Sequence, residues 1–157
     1  MSLILSTFEL KVPPLALTAG VAVVMWLISS QWPSYLATPT WALVSALVLA
    51  VIAIALCASA IWSFRASKTT VNPTTPSSAS FVVSSGVYRF TRNPMYLAFL
   101  LLLSAWAICL ANPVSSVALP LFVLFMNRFQ IEPEERALRA KFGSQYEQYL
   151  VQVRRWV

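Results

Sequence analysis

Two polar segments of this chain carry residue types suited to holding a charged small molecule, and an apolar hairpin separates them. The first is Gly86-Val87-Tyr88-Arg89-Phe90-Thr91-Arg92-Asn93-Pro94-Met95-Tyr96. The second opens at Glu132-Pro133-Glu134-Glu135-Arg136-Ala137-Leu138 and runs through Phe142-Gly143 to Tyr146 and Tyr149. Between them lie about 35 mostly apolar residues, enough for two short membrane helices and a tight turn. Such a hairpin returns its ends to one membrane surface, so Arg92 and the Glu134–Glu135 pair are expected to meet there beside Tyr88 and Tyr96. An arginine there can pair with a carboxylate, and ionisable groups held at a membrane are costly enough to be read as functional by default. Histidine is absent, which excludes a His-based triad, and no Gly-rich phosphate loop occurs. What remains is chemistry in which a cofactor does the work while the protein binds and orients it. A plain structural reading accounts for each residue singly: Asn93 as a helix cap, Pro94 in a first turn, Glu134 and Glu135 as first-turn acids. It accounts less well for their convergence.

The elements that position these residues follow from composition. The chain has 157 residues, 59% hydrophobic and only 10% charged, with a formal net charge of +6. That profile is an integral membrane protein's, not a soluble domain's, and nucleic acid is a poor partner for it. Four stretches are predicted to span, over 14–30, 41–64, 95–111 and 113–129, giving an all-α membrane bundle. Lys11 precedes the first. Arg65, Lys68, Arg89 and Arg92 fall in the connecting loop 65–94, and Arg128, Arg136, Arg139, Lys141, Arg154 and Arg155 at or beyond the end of the fourth. The connections at 31–40 and 111–113 carry no charge. All basic residues then lie on one side, which the positive-inside rule makes cytoplasmic, with both termini inside. The five glutamates fall on the same side, and the basic balance favours anionic lipid headgroups. No cleavable signal is evident, and the first span is read as retained. Cys57 and Cys109 have no partner spacing for a metal or a disulfide.

Within the spans, Trp32, Trp41 and Trp62 suit interfacial anchoring, and Gly20, Ala50, Ala53, Ala55, Ala58 and Ala60 offer the first two helices small faces for packing. Pro120 is expected to interrupt the fourth span and free a carbonyl near residue 116, either as a packing kink or as a bent wall around a pocket. Residues 66–85, rich in Ser, Thr and Pro, read as a loop that is either a linker or a lid. The helix-prone segment 132–157 brings Leu138, Phe142, Tyr146, Tyr149 and Val153 to one face, with a break possible at Gly143. It reads as an amphipathic helix on the cytoplasmic membrane surface.

These residues together resemble the isoprenylcysteine carboxyl methyltransferase family, within the wider phospholipid-methyltransferase-like set. The likeness rests on Val83-Ser84-Ser85-Gly86-Val87-Tyr88, Arg92-Asn93-Pro94-Met95-Tyr96, Glu134-Glu135, and Phe142-Gly143 with Tyr146 and Tyr149. It covers residues 81–157, with Thr69-Thr70-Val71-Asn72-Pro73 similar to bacterial members. The resemblance implies a methyltransferase of a bacterial inner membrane, using S-adenosyl-L-methionine on the cytoplasmic side and a lipophilic or lipid-like acceptor that enters from the membrane. It carries the cofactor site onto Tyr88, Arg92, Asn93, Pro94, Tyr96, Leu97, Glu134 and Glu135, with Arg92 and Glu135 as the catalytic candidates. A carboxylate of the glutamate pair would meet the cofactor's ribose or amino group, and Arg92 a carboxylate of cofactor or substrate. Glu135→Gln and Arg92→Ala are each expected to weaken cofactor binding in a folded protein. Asn93 stands where the eukaryotic prenylcysteine enzymes typically have His, which bears on the substrate more than on the cofactor. Two rival readings are a phospholipid N-methyltransferase and a non-catalytic membrane scaffold that kept the fold.

Overall fold

The computed structural model describes residues 9–32, 38–66 and 82–157. Most of the expected loop over 66–85, with Thr69 to Pro73 and the lid reading, lies outside them. The described residues form α1 (Pro14–Gln31), α2 (Thr40–Ala66), a short 3-10 turn (Gly86–Arg89), α3 (Pro94–Leu110), α4 (Pro113–Phe142) and α5 (Ser144–Gln152). Among them there is no strand. Three helices, α1, α2 and α4, are long and apolar enough to cross a membrane, and α3 is a shorter apolar helix of 17 residues. The all-α membrane bundle expected from the sequence is the fold found. Proline opens α1, α3 and α4 in the first turn, where a missing N–H costs no intrahelical bond.

Helix α3 occupies the centre. Along one side α2 packs on it closely, with Ala42, Ala46, Ala53, Ala60 and Ser63 buried. These recur at steps that place them on one face, and their small side chains let the two backbones approach. The opposite face of α2, including Leu47, Val51 and Ile54, is exposed, as lipid contact requires. On the other side of α3 the core joins Met25 of α1 to Leu103 of α3 and Phe122 and Met126 of α4. At the uncharged end α3 stops at Ala111, which takes a left-handed conformation (φ 48°). The Asn112 side chain then accepts from Ser115 N–H at 3.0 Å and donates to the Trp32 carbonyl, closing that end onto α1.

Helix α4 is shaped by its two prolines. Its first part is divided at Val117, between Pro113–Ser116 and Ala118–Met126, three residues before Pro120. The expected discontinuity is therefore present, although Val117 keeps helical dihedrals (φ −60°, ψ −22°). The second proline has the larger consequence. Asn127–Ile131 is wound as a π-turn, in which Glu132 N–H donates to the carbonyl of Asn127. Pro133 has no N–H to offer the Phe129 carbonyl four residues back. Leu10 N–H takes that place at 3.0 Å, and Gln130 Nε2 donates to the Val12 carbonyl at 2.6 Å. Glu9 completes the strap with ion pairs to Arg128 (2.9 Å) and Arg136.

The helix expected to end near Phe129 thus runs on to Phe142. Its 30 residues reach about 45 Å at 1.5 Å per residue, well beyond a hydrocarbon core of about 30 Å. The part carrying Glu132 to Lys141 stands at the charged end of the bundle. A π-turn uses an extra residue, so whatever follows it is turned by about 100° relative to a continuous α-helix. Without that turn Glu135 would lie roughly opposite Met126, away from α3. The π-turn brings it round towards α3.

Gly143 (φ 50°) divides the segment after Pro133, and α5 folds back. The apolar face read as lying on the membrane is instead covered by protein: Tyr146, Tyr149 and Val153 are buried with Val82, Leu138 and Phe142 against them. Tyr149 Oη donates to the Tyr88 carbonyl at 2.8 Å. Burial pushes the Tyr149 phenol well above its usual range, so it stays a donor. Gly86 marks a close approach between the 3-10 turn and α2. It takes φ +59°, and a Cβ there would stand 2.7 Å from Ser63 Oγ. Gly86→Ala is expected to cost about 1–2 kcal/mol from the left-handed backbone alone, read as a lower melting temperature in detergent.

Candidate functional site

The site assembles where the start of α3, the upper part of α4 and residues 153–156 after α5 come together. Arg92 Nη2 meets Glu135 Oε1 at 3.1 Å, and the pair is largely buried, with 13% and 8% of the two side chains exposed. Arg155, which the sequence reading did not single out, takes the other side of the same carboxylate. Its Nε lies 3.1 Å from Oε1 and its Nη2 2.7 Å from Oε2. The hydrogen bond to Glu135 holds the Arg155 guanidinium above its usual pKa. Glu135 thus accepts three N–H bonds from two guanidiniums, the forked geometry that carboxylate recognition favours.

Arg92 also braces the chain. Its Nη1 donates to the carbonyls of Leu150 and Val153, both at 2.9 Å, and its backbone N–H to the Arg154 carbonyl at 3.0 Å. Only Nε is buried with no hydrogen-bond partner. Asn93 occupies the N-cap position of α3, but the expected side-chain cap is not made. Its Nδ2 donates instead to the Arg155 carbonyl at 2.9 Å, which turns the amide towards residues 153–156 rather than over the N–H groups of the first turn. Thr91 Oγ1 donates to the same carbonyl at 3.3 Å, and Trp156 Nε1 donates to Asn127 Oδ1 at 3.0 Å.

Glu134 stands one residue away in a different setting. It is half-buried, and Tyr96 Oη donates to its Oε2 at 3.0 Å. Its Oε1 has no hydrogen-bond partner among the described residues. Of the other expected residues, Tyr88 is buried edge-on against Phe64 at 5.2 Å, and it joins the site through its carbonyl rather than its phenol. Pro94 is buried in the first turn of α3, and Leu97 is half-buried, with its N–H on the Asn93 carbonyl at 2.9 Å. The structure therefore joins Arg92 to Glu135 and Tyr96 to Glu134, and leaves Tyr88, Pro94 and Leu97 as the packing around them. The signal for Arg155 was the adjacent basic pair Arg154-Arg155 ahead of a tryptophan. No group of three or more His, Cys, Asp or Glu able to hold a metal occurs among the described residues.

In charge terms, two arginines share one carboxylate, leaving one excess positive charge, with an orphaned Arg92 N–H. The Glu134 carboxylate lies beside it with free accepting capacity. An array of this kind suits a zwitterionic ligand, with cationic groups towards Glu134 and anionic groups towards the arginines. Stability alone does not call for it, since buried ion pairs rarely gain over apolar packing.

A Haemophilus influenzae protein described as uncharacterized is 44% identical over 63 residues, covering 40% of this chain and 100% of that protein. A probable protein-S-isoprenylcysteine O-methyltransferase of Oryza sativa subsp. indica is 40% identical over 75 residues, 46% of this chain and 38% of its own length. Protein-S-isoprenylcysteine O-methyltransferase B of Arabidopsis thaliana is 35% identical over 72 residues, 46% of this chain and 36% of its own. This chain therefore spans little more than a third of the plant proteins it matches. No solved structure matches it. The phospholipid methyltransferase family model matches residues 41–145, from the start of α2 into α5. With that match running across most of the helical bundle and the paired acids, the chain belongs to the phospholipid methyltransferase family.

Proposed function

We propose that this protein is an integral membrane methyltransferase that uses S-adenosyl-L-methionine and methylates a small lipophilic or amphiphilic acceptor, at the cytoplasmic face of a bacterial inner membrane. The observation that carries the reading is the pairing of a free carboxylate, Glu134, with the Arg92–Glu135–Arg155 cluster at the charged end of the bundle, in a chain of this family. The donor set fits the cofactor: Glu134, oriented by Tyr96, would hold its cationic groups or ribose hydroxyls, and Arg92, whose Nε has no partner, would hold its carboxylate. When bound, that group supplies an electrophilic methyl on a sulfonium. The residues of this chain bind, orient and exclude water, which is what displacement at a sulfonium methyl needs most.

A carboxylate acceptor is favoured over an amine. An ammonium must lose a proton before it can attack; the chain has no histidine, and the one carboxylate of the site able to take a proton, Glu134, is assigned here to the cofactor. A carboxylate attacks as it stands. The acceptor atom is then an oxygen, as the name O-methyltransferase says of the plant relatives, although a prenylated protein is not required. The test is methyl-labelled cofactor added to the purified protein in lipid nanodiscs with membrane lipid extract. The expected product is lipophilic and releases its label as methanol in mild alkali, as a methyl ester does. Alkali-stable label would instead identify an amine or thiol acceptor, as the phospholipid N-methyltransferase reading requires.

A further inference from the structure

Which of the two adjacent glutamates faces the ligand is decided by what already holds each one. Glu135 has both oxygens committed, Oε1 to Arg92 and Arg155 and Oε2 to Arg155. Glu134 has a single phenolic donor on Oε2 and is half-buried, where Glu135 is buried. We propose that Arg155 is a positioning residue of the methyl-transfer site: by gripping both oxygens of Glu135 it fixes Arg92 and leaves Glu134 as the ligand-facing carboxylate. This rests on the methyltransferase reading above and concerns a residue beyond the 41–145 matched by the family model.

The backbone around Arg155 is built to present its side chain. Its carbonyl accepts from Asn93 Nδ2 and Thr91 Oγ1, the Arg154 carbonyl accepts from Arg92 N–H, and Trp156 is tied to Asn127 in the π-turn. Residues 154–156 are thus laid across the start of α3 and anchored on both sides of the guanidinium. The consequences are electrostatic as well as steric. Two carboxylates on adjacent residues repel unless one is neutralised. With Arg155 present the cluster keeps its excess positive charge for an anionic group. Without it, Glu135 becomes free to compete for the ligand's cationic end, and Arg92 loses the partner that fixes its fork. A lysine cannot replace the fork, because an ammonium is a point donor without bidentate geometry.

The test uses the full chain in mild detergent, titrated by calorimetry with S-adenosylhomocysteine, the demethylated cofactor, for wild type, Arg155→Gln and Arg155→Lys. The expected result is unchanged stoichiometry with Kd raised about tenfold or more in Arg155→Gln, the loss of one charged hydrogen-bonding group. Arg155→Lys is expected to stay closer to Arg155→Gln than to wild type. A merely structural role would lower the number of competent sites and leave the Kd of the remainder unchanged, and that result overturns the proposal. So does wild-type affinity in either variant. Wild-type protein that is folded and binds nothing overturns the methyltransferase reading itself, and the role of Arg155 falls with it.

Discussion

Glu135→Gln is expected to destabilise the protein by about 3–5 kcal/mol, the range for removing one partner from a buried ion pair. The substitution keeps the shape of the side chain and removes only its charge. It leaves Arg92, with 13% of its side chain exposed, facing Arg155 with no anion between them. A neutral amide offers one acceptor oxygen where the carboxylate offered two, so at least one of the three N–H bonds is lost. Because Arg92 and Arg155 also brace the last turn of α5 and residues 153–156, the loss should spread to α5. The measurement is thermal unfolding in detergent beside protease sensitivity of the segment after Gly143. A melting temperature within a degree of wild type would contradict it. Glu135 and Arg92 are thus expected to support the fold as well as the ligand.

Glu134→Gln is expected to do the reverse. Its carboxylate has one hydrogen bond, from Tyr96 Oη, which the amide oxygen can still accept, so stability should change by less than about 1 kcal/mol. Cofactor affinity should fall about 10- to 100-fold, equivalent to the 1.5–3 kcal/mol of a hydrogen bond to a charged group. Calorimetric titration of the variant checks the affinity, and a thermal melt of the same preparation checks the stability. Unchanged affinity would move the ligand away from Glu134 and would reopen the assignment of roles within the pair. The two substitutions, one residue apart, thus separate support from ligand contact.

The broad architecture was legible because it rests on periodic apolarity and on charge placement. The basic residues around Arg92, Arg136 and Arg155 gather at one end, and the Asn112 turn closes the other. The convergence of Arg92 with the glutamates followed from the hairpin that joins them. Less legible was the register of that convergence. Pro133 was read as part of an acidic motif, whereas its missing N–H leaves the Phe129 carbonyl to Leu10 beside the π-turn at Asn127–Ile131. The π-turn then sets which glutamate faces which arginine. Asn93 was read locally as a cap because a single sequence cannot display an acceptor sixty-two residues away. Arg155 escaped notice for the same reason, since its partner carboxylate is brought to it only by the reversal at Gly143. The amphipathic face of α5 was visible as a pattern, but amphipathicity alone does not say whether lipid or protein covers it.

Equilibrium binding of S-adenosyl-L-methionine and its demethylated product to the purified wild-type protein in mild detergent, with Glu134→Gln as the control, separates a methyltransferase from a scaffold. Micromolar binding of both is expected, weakened at least tenfold in the variant while its melting temperature stays near wild type. A folded wild-type protein that binds neither would contradict the methyltransferase reading, and the fold would then serve as a membrane scaffold in which the arginines and glutamates only hold helices together.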